Sequence, residues 1–173
     1  LGRVSLGSVG QTLLNSSTVP VALSPRGMRH APLDSLSRIT VMLGESGRWR
    51  GVLSKARTFA DRAGVPLRLV TVATGDSQDT AEIEKRTEAL LAEVRLDLNG
   101  LDDQRVQIVH AHSMSAAVLA MEWSRNELAF LGSARLAQSG RLFLGPDANK
   151  ILRVLPVPLV AVPADPADVG GGT

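Results

Sequence analysis

Five short apolar runs rich in β-branched residues constrain this chain more than anything else in it. They are Arg38–Leu43, Pro66–Ala73, Arg105–His110, Glu127–Gly132 and Val157–Val162. Most are continuous rather than alternating, which marks strands covered on both faces and hence a parallel sheet. Helical periods separate them. Trp49, Val52, Leu53, Ala56, Phe59, Ala60 and Ala63 share one helix face, stopped by Gly64 and Pro66. Ile83, Thr87, Leu90, Leu91, Val94 and Leu98 make a second stripe, ended by Asn99 and Gly100. A third helix is expected from about Ser115 to Arg125, opened by the hydroxyl of Ser113 or Ser115. A fourth starts near Pro146, a favoured first helical position, and stops before Pro156. The order β-α-β-α-β-α-β-α-β predicts an α/β fold: a doubly wound, five-stranded parallel sheet flanked by helices. Ligands of such sheets bind beyond the carboxyl ends of the strands, at the topological switch point.

Self-comparison adds a second constraint. Leu6-Gly7-Ser8-Val9-Gly10-Gln11-Thr12-Leu13-Leu14 aligns with Leu144-Gly145-Pro146-Asp147-Ala148-Asn149-Lys150-Ile151-Leu152. Without a gap, Val19-Pro20 meets Val157-Pro158 and Pro25 meets Pro163. The offset is 138 residues, the separation of Gly7 and Gly145, which is of domain size. Residues 1–24 therefore read as the closing helix and strand of a preceding copy. Residues 25–37 read as a linker, 38–163 as a complete domain, and 164–173 as a disordered Pro/Ala/Asp/Gly tail. One helix and one strand cannot bury an apolar face alone, so they must pack on the complete unit or on a partner chain. A chain opening on Leu1 rather than Met reads as a portion of a longer product.

Composition excludes several functions. There is no Cys, so disulfides and thiolate chemistry are ruled out. The net charge is +2, and acidic and basic residues are interspersed, as on an ordinary solvated surface rather than one that binds nucleic acid. No run approaches the roughly 20 apolar residues of a membrane span. No targeting signal is visible, so the default location is the cytoplasm.

The loop after the fourth run reads Gly132-Ser133-Ala134-Arg135, then Leu136 to Leu144, then Gly145-Pro146. On this spacing, and on the motif from Leu144-Gly145 through Ile151-Leu152 to Pro156-Val157-Pro158-Leu159-Val160, the chain resembles the universal stress protein family. The resemblance covers all five strands, and residues 1–24 look like the end of a tandem partner. It implies a phosphate loop of pattern Gly, two residues, Gly, nine residues, Gly, then Ser or Thr. Glycines admit backbone N–H groups close to phosphate oxygens, and the helix behind them presents its positive end. This unit departs from the pattern at three positions. Arg135 replaces the second Gly, Pro146 replaces the hydroxyl residue, and Gly44 stands where nucleotide-binding members carry an Asp. The leading segment keeps Gly7-Ser8. Val72 matches the family's adenine-contacting position, and it is equally an ordinary buried strand residue.

Two readings follow. In one, the ATP site is degenerate and the unit serves as a regulatory or stress-response module through dimerisation or tandem pairing. Its partner is then itself, through the closing strand, or the missing preceding unit. In the other, the chain is an ATP sensor that uses Arg135 and the Gly132/Gly145 backbone. Arg135 is either a phosphate ligand or a solvated loop residue.

Other candidates are thinner. The loop from Gly44 through Arg48 and Arg50 to Gly51 is not a P-loop or a dinucleotide loop. His110 and His112 share one face of a strand end without an evident third metal ligand, since Asp102 and Asp103 lie at the other end. His30 sits in the linker, and Asp76 and Asp79 open a helix. No nucleophile–base–orienter set is recognisable, so no catalytic residue and no metal are expected, and the chain reads as a non-enzyme.

Overall fold

A computed structural model of the chain describes residues 7–25, 28, 35–43, 49–73, 80–98, 106–111, 113–134 and 139–165. The elements in chain order are α1 (Ser8–Ser16), β1 (Val21–Leu23), β2 (Arg38–Leu43), α2 (Arg50–Ala63), β3 (Leu67–Ala73), α3 (Thr80–Leu98), β4 (Val106–His110), α4 (Met114–Ala120), β5 (Glu127–Gly132), α5 (Gly145–Val154) and β6 (Leu159–Val162). They form one six-stranded sheet of order β1-β6-β5-β2-β3-β4. Strands β2 to β6 run parallel, as the continuous apolar runs require, and β1 pairs antiparallel with β6. From β2 the chain winds through β3 and β4, then returns to lay β5 on β2's other side, so the switch point lies between β2 and β5.

Two apolar layers cover the sheet. One unites Val52, Leu53, Ala56 and Ala60 of α2 and Val94 of α3 with Ile39, Val41, Leu69 and Phe130. The other holds Leu14 of α1, Val118 of α4 and Ile151 and Leu152 of α5 against Met42, Ala129, Leu131 and Ala161. Helix α2 ends as its sequence demands: Gly64 adopts φ +65°, a left-handed cap natural to glycine, and its N–H bonds back to Ala60 and Asp61. Helix α4 opens as expected, with Ser113 Oγ accepting from the Ala116 N–H at 3.2 Å.

Two expectations need correction. Helix α4 stops at Ala120 rather than reaching Arg125. Met121 turns extended, Trp123 Nε1 donates to the Val118 carbonyl at 2.9 Å, and the Ser124 N–H donates to Glu127 at 3.0 Å. These bonds draw the chain down to the amino edge of the sheet before the helix completes a third turn. Residue 164, expected in the disordered tail, is also ordered; residues 166–173 lie outside the described residues. Ala164 is buried, its N–H donates to Arg141 and its carbonyl accepts from Gly140.

Some structural features recur at the 138-residue spacing. Helix α1 ends at Ser16 and α5 at Val154, positions related by the 138-residue offset. Past each helix the next N–H makes the same bond, Ser17 to Leu13 O and Leu155 to Ile151 O. The β1–β6 register pairs Val21 with Ala161, Ala22 with Val160 and Leu23 with Leu159. Shifted by the offset, Val21, Ala22 and Leu23 become Leu159, Val160 and Ala161. The three pairs are therefore symmetric about Ala22 and Val160.

Candidate functional site

The carboxyl edge of β5 and the start of α5 flank the loop singled out by the sequence. Gly132 pairs with Val162 at the end of β5. Ser133 follows, buried, with its Oγ accepting from the Phe143 N–H at 3.3 Å and sharing its proton between the Val162 carbonyl at 3.1 Å and that of Arg141 at 3.2 Å. Its hydroxyl thus closes the neck of the loop from inside. The Ala134 N–H donates to the Phe143 carbonyl at 2.7 Å and completes that neck. On the returning arm, Gly140 takes φ +71°, a conformation that favours glycine, and its N–H reaches Ala164 O at 2.9 Å. Leu142 is buried, and its N–H donates to the Ser17 carbonyl at 2.7 Å, so the leading segment touches the loop directly.

Gly145 begins α5, behind Leu144 at the cap position, with Pro146 in the first turn and no side-chain cap. A Pro there supplies no N–H and no hydroxyl, so the first turn offers an anion less than a Gly-Ser start does. That start occurs in α1: Gly7 is its cap residue and Ser8 its first residue, again without a side-chain cap. Val72 pairs with Val109 in the interior of the sheet. The structure thus places Gly132, Ser133, Gly145 and Pro146 around one loop beside the switch point. Gly7 and Ser8 lie at the start of a different helix. Gly44, Arg48, Arg135, His30, His112, Asp76, Asp79, Asp102 and Asp103 lie outside the described residues, as does the His110 side chain. Among the described residues no group of three or more His, Cys, Asp or Glu is gathered to hold a metal ion, and no helix is long and apolar enough to cross a membrane.

At the opposite, amino edge the structure holds a cluster the sequence did not reveal. Glu127, the first residue of β5, is wholly buried between Arg38 on β2 and Arg68 on β3. Arg38 Nη2 donates to Oε2 at 2.7 Å and Arg68 Nη2 to Oε1 at 2.6 Å. The Thr40 hydroxyl also donates to Oε1, and the Ser124 N–H to Oε2. Arg68 further bonds Thr40 Oγ1 at 2.9 Å and the Glu122 carbonyl at 3.1 Å, and lies 5.1 Å over the Trp123 ring. Arg38, Thr40, Arg68 and Glu127 share one face because Arg38 pairs with Glu127 and Thr40 with Arg68 in the sheet register. Burial by itself pushes the Glu127 carboxyl upward, but bonds from Arg38, Thr40 and Ser124 and the charge of Arg68 outweigh it and hold it below the usual carboxylate range. Burial is likewise the main influence on Arg68, which it lowers, with Glu127 opposing. Every strong acceptor position of the carboxylate is filled, so the cluster ties three strands and the α4–β5 turn together. A depression of about 500 Å³ lies over it, lined by Arg38, Arg68, Ala120, Glu122, Trp123 and Ser124.

No family model matches the chain. Curated relatives do. Universal stress proteins of Mycobacterium bovis and Mycobacterium tuberculosis are each 32% identical over 174 residues, covering 93% of this chain and 59% of their own length. The chain thus spans about three fifths of the relatives it matches. A solved Pseudomonas aeruginosa structure assigned to the universal stress proteins superposes with a TM-score of 0.67 at 17% identity, over 96% of this chain and 60% of the other. A universal stress protein from Archaeoglobus fulgidus gives 0.61 at 24% identity, over 94% and 57%. The likeness to the solved structures carries the α/β fold. Over the stretch it shares with the mycobacterial relatives, the chain is similar to universal stress proteins.

Proposed function

We propose that this chain is a regulatory, stress-response module that works by pairing its units, and that the nucleotide loop of its complete unit is degenerate. The observation carrying the pairing is the β1–β6 register, symmetric about Ala22 and Val160 under the repeat offset. On this reading α1 and β1 close a preceding copy of the domain, seated on the complete unit as two equal units sit on each other. Relatives that extend well beyond this chain leave room for that copy. Leu13 and Val19 favour the same reading. They are 46% and 62% exposed, whereas their equivalents Ile151 and Val157 are 3% and 2% exposed beneath the rest of their own unit.

The degenerate loop is supported from three sides. Ser133 turns its hydroxyl inward, Pro146 removes an N–H and a hydroxyl from the start of α5, and Arg135 takes a glycine's place. On this account the complete unit carries no catalytic group and needs no cofactor, and the Gly7-Ser8 start belongs to the unit that keeps the site. Cytoplasmic location remains part of the proposal.

A thermal titration with Mg-ATP tests the degenerate loop. A nucleotide at about 100 times its dissociation constant stabilises by roughly 2.7 kcal/mol, several degrees for a domain of this size. The expected result is no shift at millimolar Mg-ATP. An ATP-specific shift lost in Arg135→Ala overturns the degenerate reading and makes the loop a nucleotide sensor.

A further inference from the structure

The leading helix–strand does more than cover an edge, because its last turn holds the candidate loop. Ser17 lies just past α1 with an extended backbone, so its carbonyl makes no helical bond and is free to accept from outside the helix. A local turn fixes its direction: Ser17 Oγ donates to the Val19 carbonyl at 2.8 Å and accepts the Val19 N–H at 3.2 Å. The carbonyl so aimed takes the Leu142 N–H at 2.7 Å. Leu142 is fully buried in the same apolar cluster as Leu14 of α1, Leu144 at the cap of α5, and Ile151 and Leu152 in its second half. The returning arm of the loop is therefore clamped from two sides. Ala164 holds Gly140 from within the complete unit, and Ser17 holds Leu142 from the leading segment.

We propose that Ser17 is a positioning residue for the β5–α5 loop, so that docking of the leading helix–strand sets the conformation of residues 139–145 and of the neck at Ala134. This rests on reading that loop as the family's ligand loop, here reduced. It adds that the loop's geometry is set across the unit boundary. Coupling of this kind is reciprocal: whatever fastens the loop also tightens the seating of α1.

Amide exchange in the intact chain tests it. Ser17→Ala leaves the carbonyl in place but frees the turn that aims it. Leu142, Gly140, Phe143 and Ala134 amides are expected to exchange about tenfold faster, with Leu69 and Val70 in β3 unchanged. Ser17→Thr, which keeps the hydroxyl, restores the original rates. Leu14→Asp, which undocks α1, raises the same loop rates about a hundredfold. Unchanged loop rates in Ser17→Ala and Leu14→Asp overturn the proposal. So does a gain confined to Leu142 while Gly140, Phe143 and Ala134 keep their protection, because the loop then stands without the leading segment. Should Leu14→Asp also release Leu69 and Val70, the Ser17→Ala and Ser17→Thr pair decides the matter. A positive Mg-ATP titration would correct the degenerate reading and leave this coupling untouched.

Discussion

Glu127→Ala is expected to lower the free energy of unfolding by about 3–5 kcal/mol, because it leaves two arginines at the amino edge without their counter-ion. Arg68 suffers most. Its guanidinium is largely buried, with side-chain exposure of 11%, and it donates to Glu127, Thr40 and the Glu122 carbonyl at once. Removing the carboxylate also frees the Ser124 N–H, which holds the turn between α4 and β5. Denaturant melts of the variant and the parent chain measure the loss.

The same group sets a pH dependence. The folded-state value of Glu127 lies below its ordinary one, so its contribution is fully present above the unfolded value, about 4.3 for a glutamate. That contribution fades as pH falls below this point and is gone once pH passes under the folded value. Glu127→Gln keeps the shape and removes the titration. Melts across the acid range should therefore show a shallower loss of stability in Glu127→Gln than in the parent chain. A parallel pair of curves would show that other carboxylates govern acid unfolding.

Leu142→Ala is expected to cost about 2–5 kcal/mol, the range for emptying a fully buried leucine site. For a residue in a loop that is a large effect, and it follows from position rather than element type. Leu142 is enclosed by α1, α4 and α5 within one apolar cluster, and its side chain joins the leading segment to the complete unit. Thermal melts give the magnitude. A loss below about 0.5 kcal/mol, the usual scale of surface substitutions, would mean that α1 does not cover this site in solution.

The sheet was legible because strand and helix periods are local. β2 and β5 match their apolar runs end to end, and β3 lacks only Pro66, whose carbonyl still accepts from Ile39. The closing strand is two residues shorter than its apolar run, since Pro158 donates no ladder bond although its carbonyl accepts from Ala129. The amino-edge cluster was not legible. Arg38, Arg68 and Glu127 are separated by tens of residues and become neighbours only when β5, β2 and β3 lie side by side. A strand-opening glutamate is a weak hint until that order is known. The short α4 follows from the same blindness, because Ser124 and Trp123 are drawn off by tertiary partners that no helical period encodes. At the loop, spacing located Gly132, Ser133 and Gly145, but only coordinates reveal that Ser133 faces inward and that Ser17 reaches Leu142.

The pairing claim can be tested with a cross-link, since the chain has no cysteine of its own. Ala22 and Val160 are directly opposed in the antiparallel ladder, at the centre of its symmetry. Opposed residues of such a ladder lie about 4.5–5.5 Å apart at Cα, within disulfide reach. The measurement is the mass of the Ala22→Cys, Val160→Cys double variant after mild oxidation at low concentration, with peptide mapping of the bond. The account predicts a disulfide within one chain that retains the monomer mass. No disulfide, or one formed only between two chains, would contradict the seating of α1 and β1 on their own complete unit.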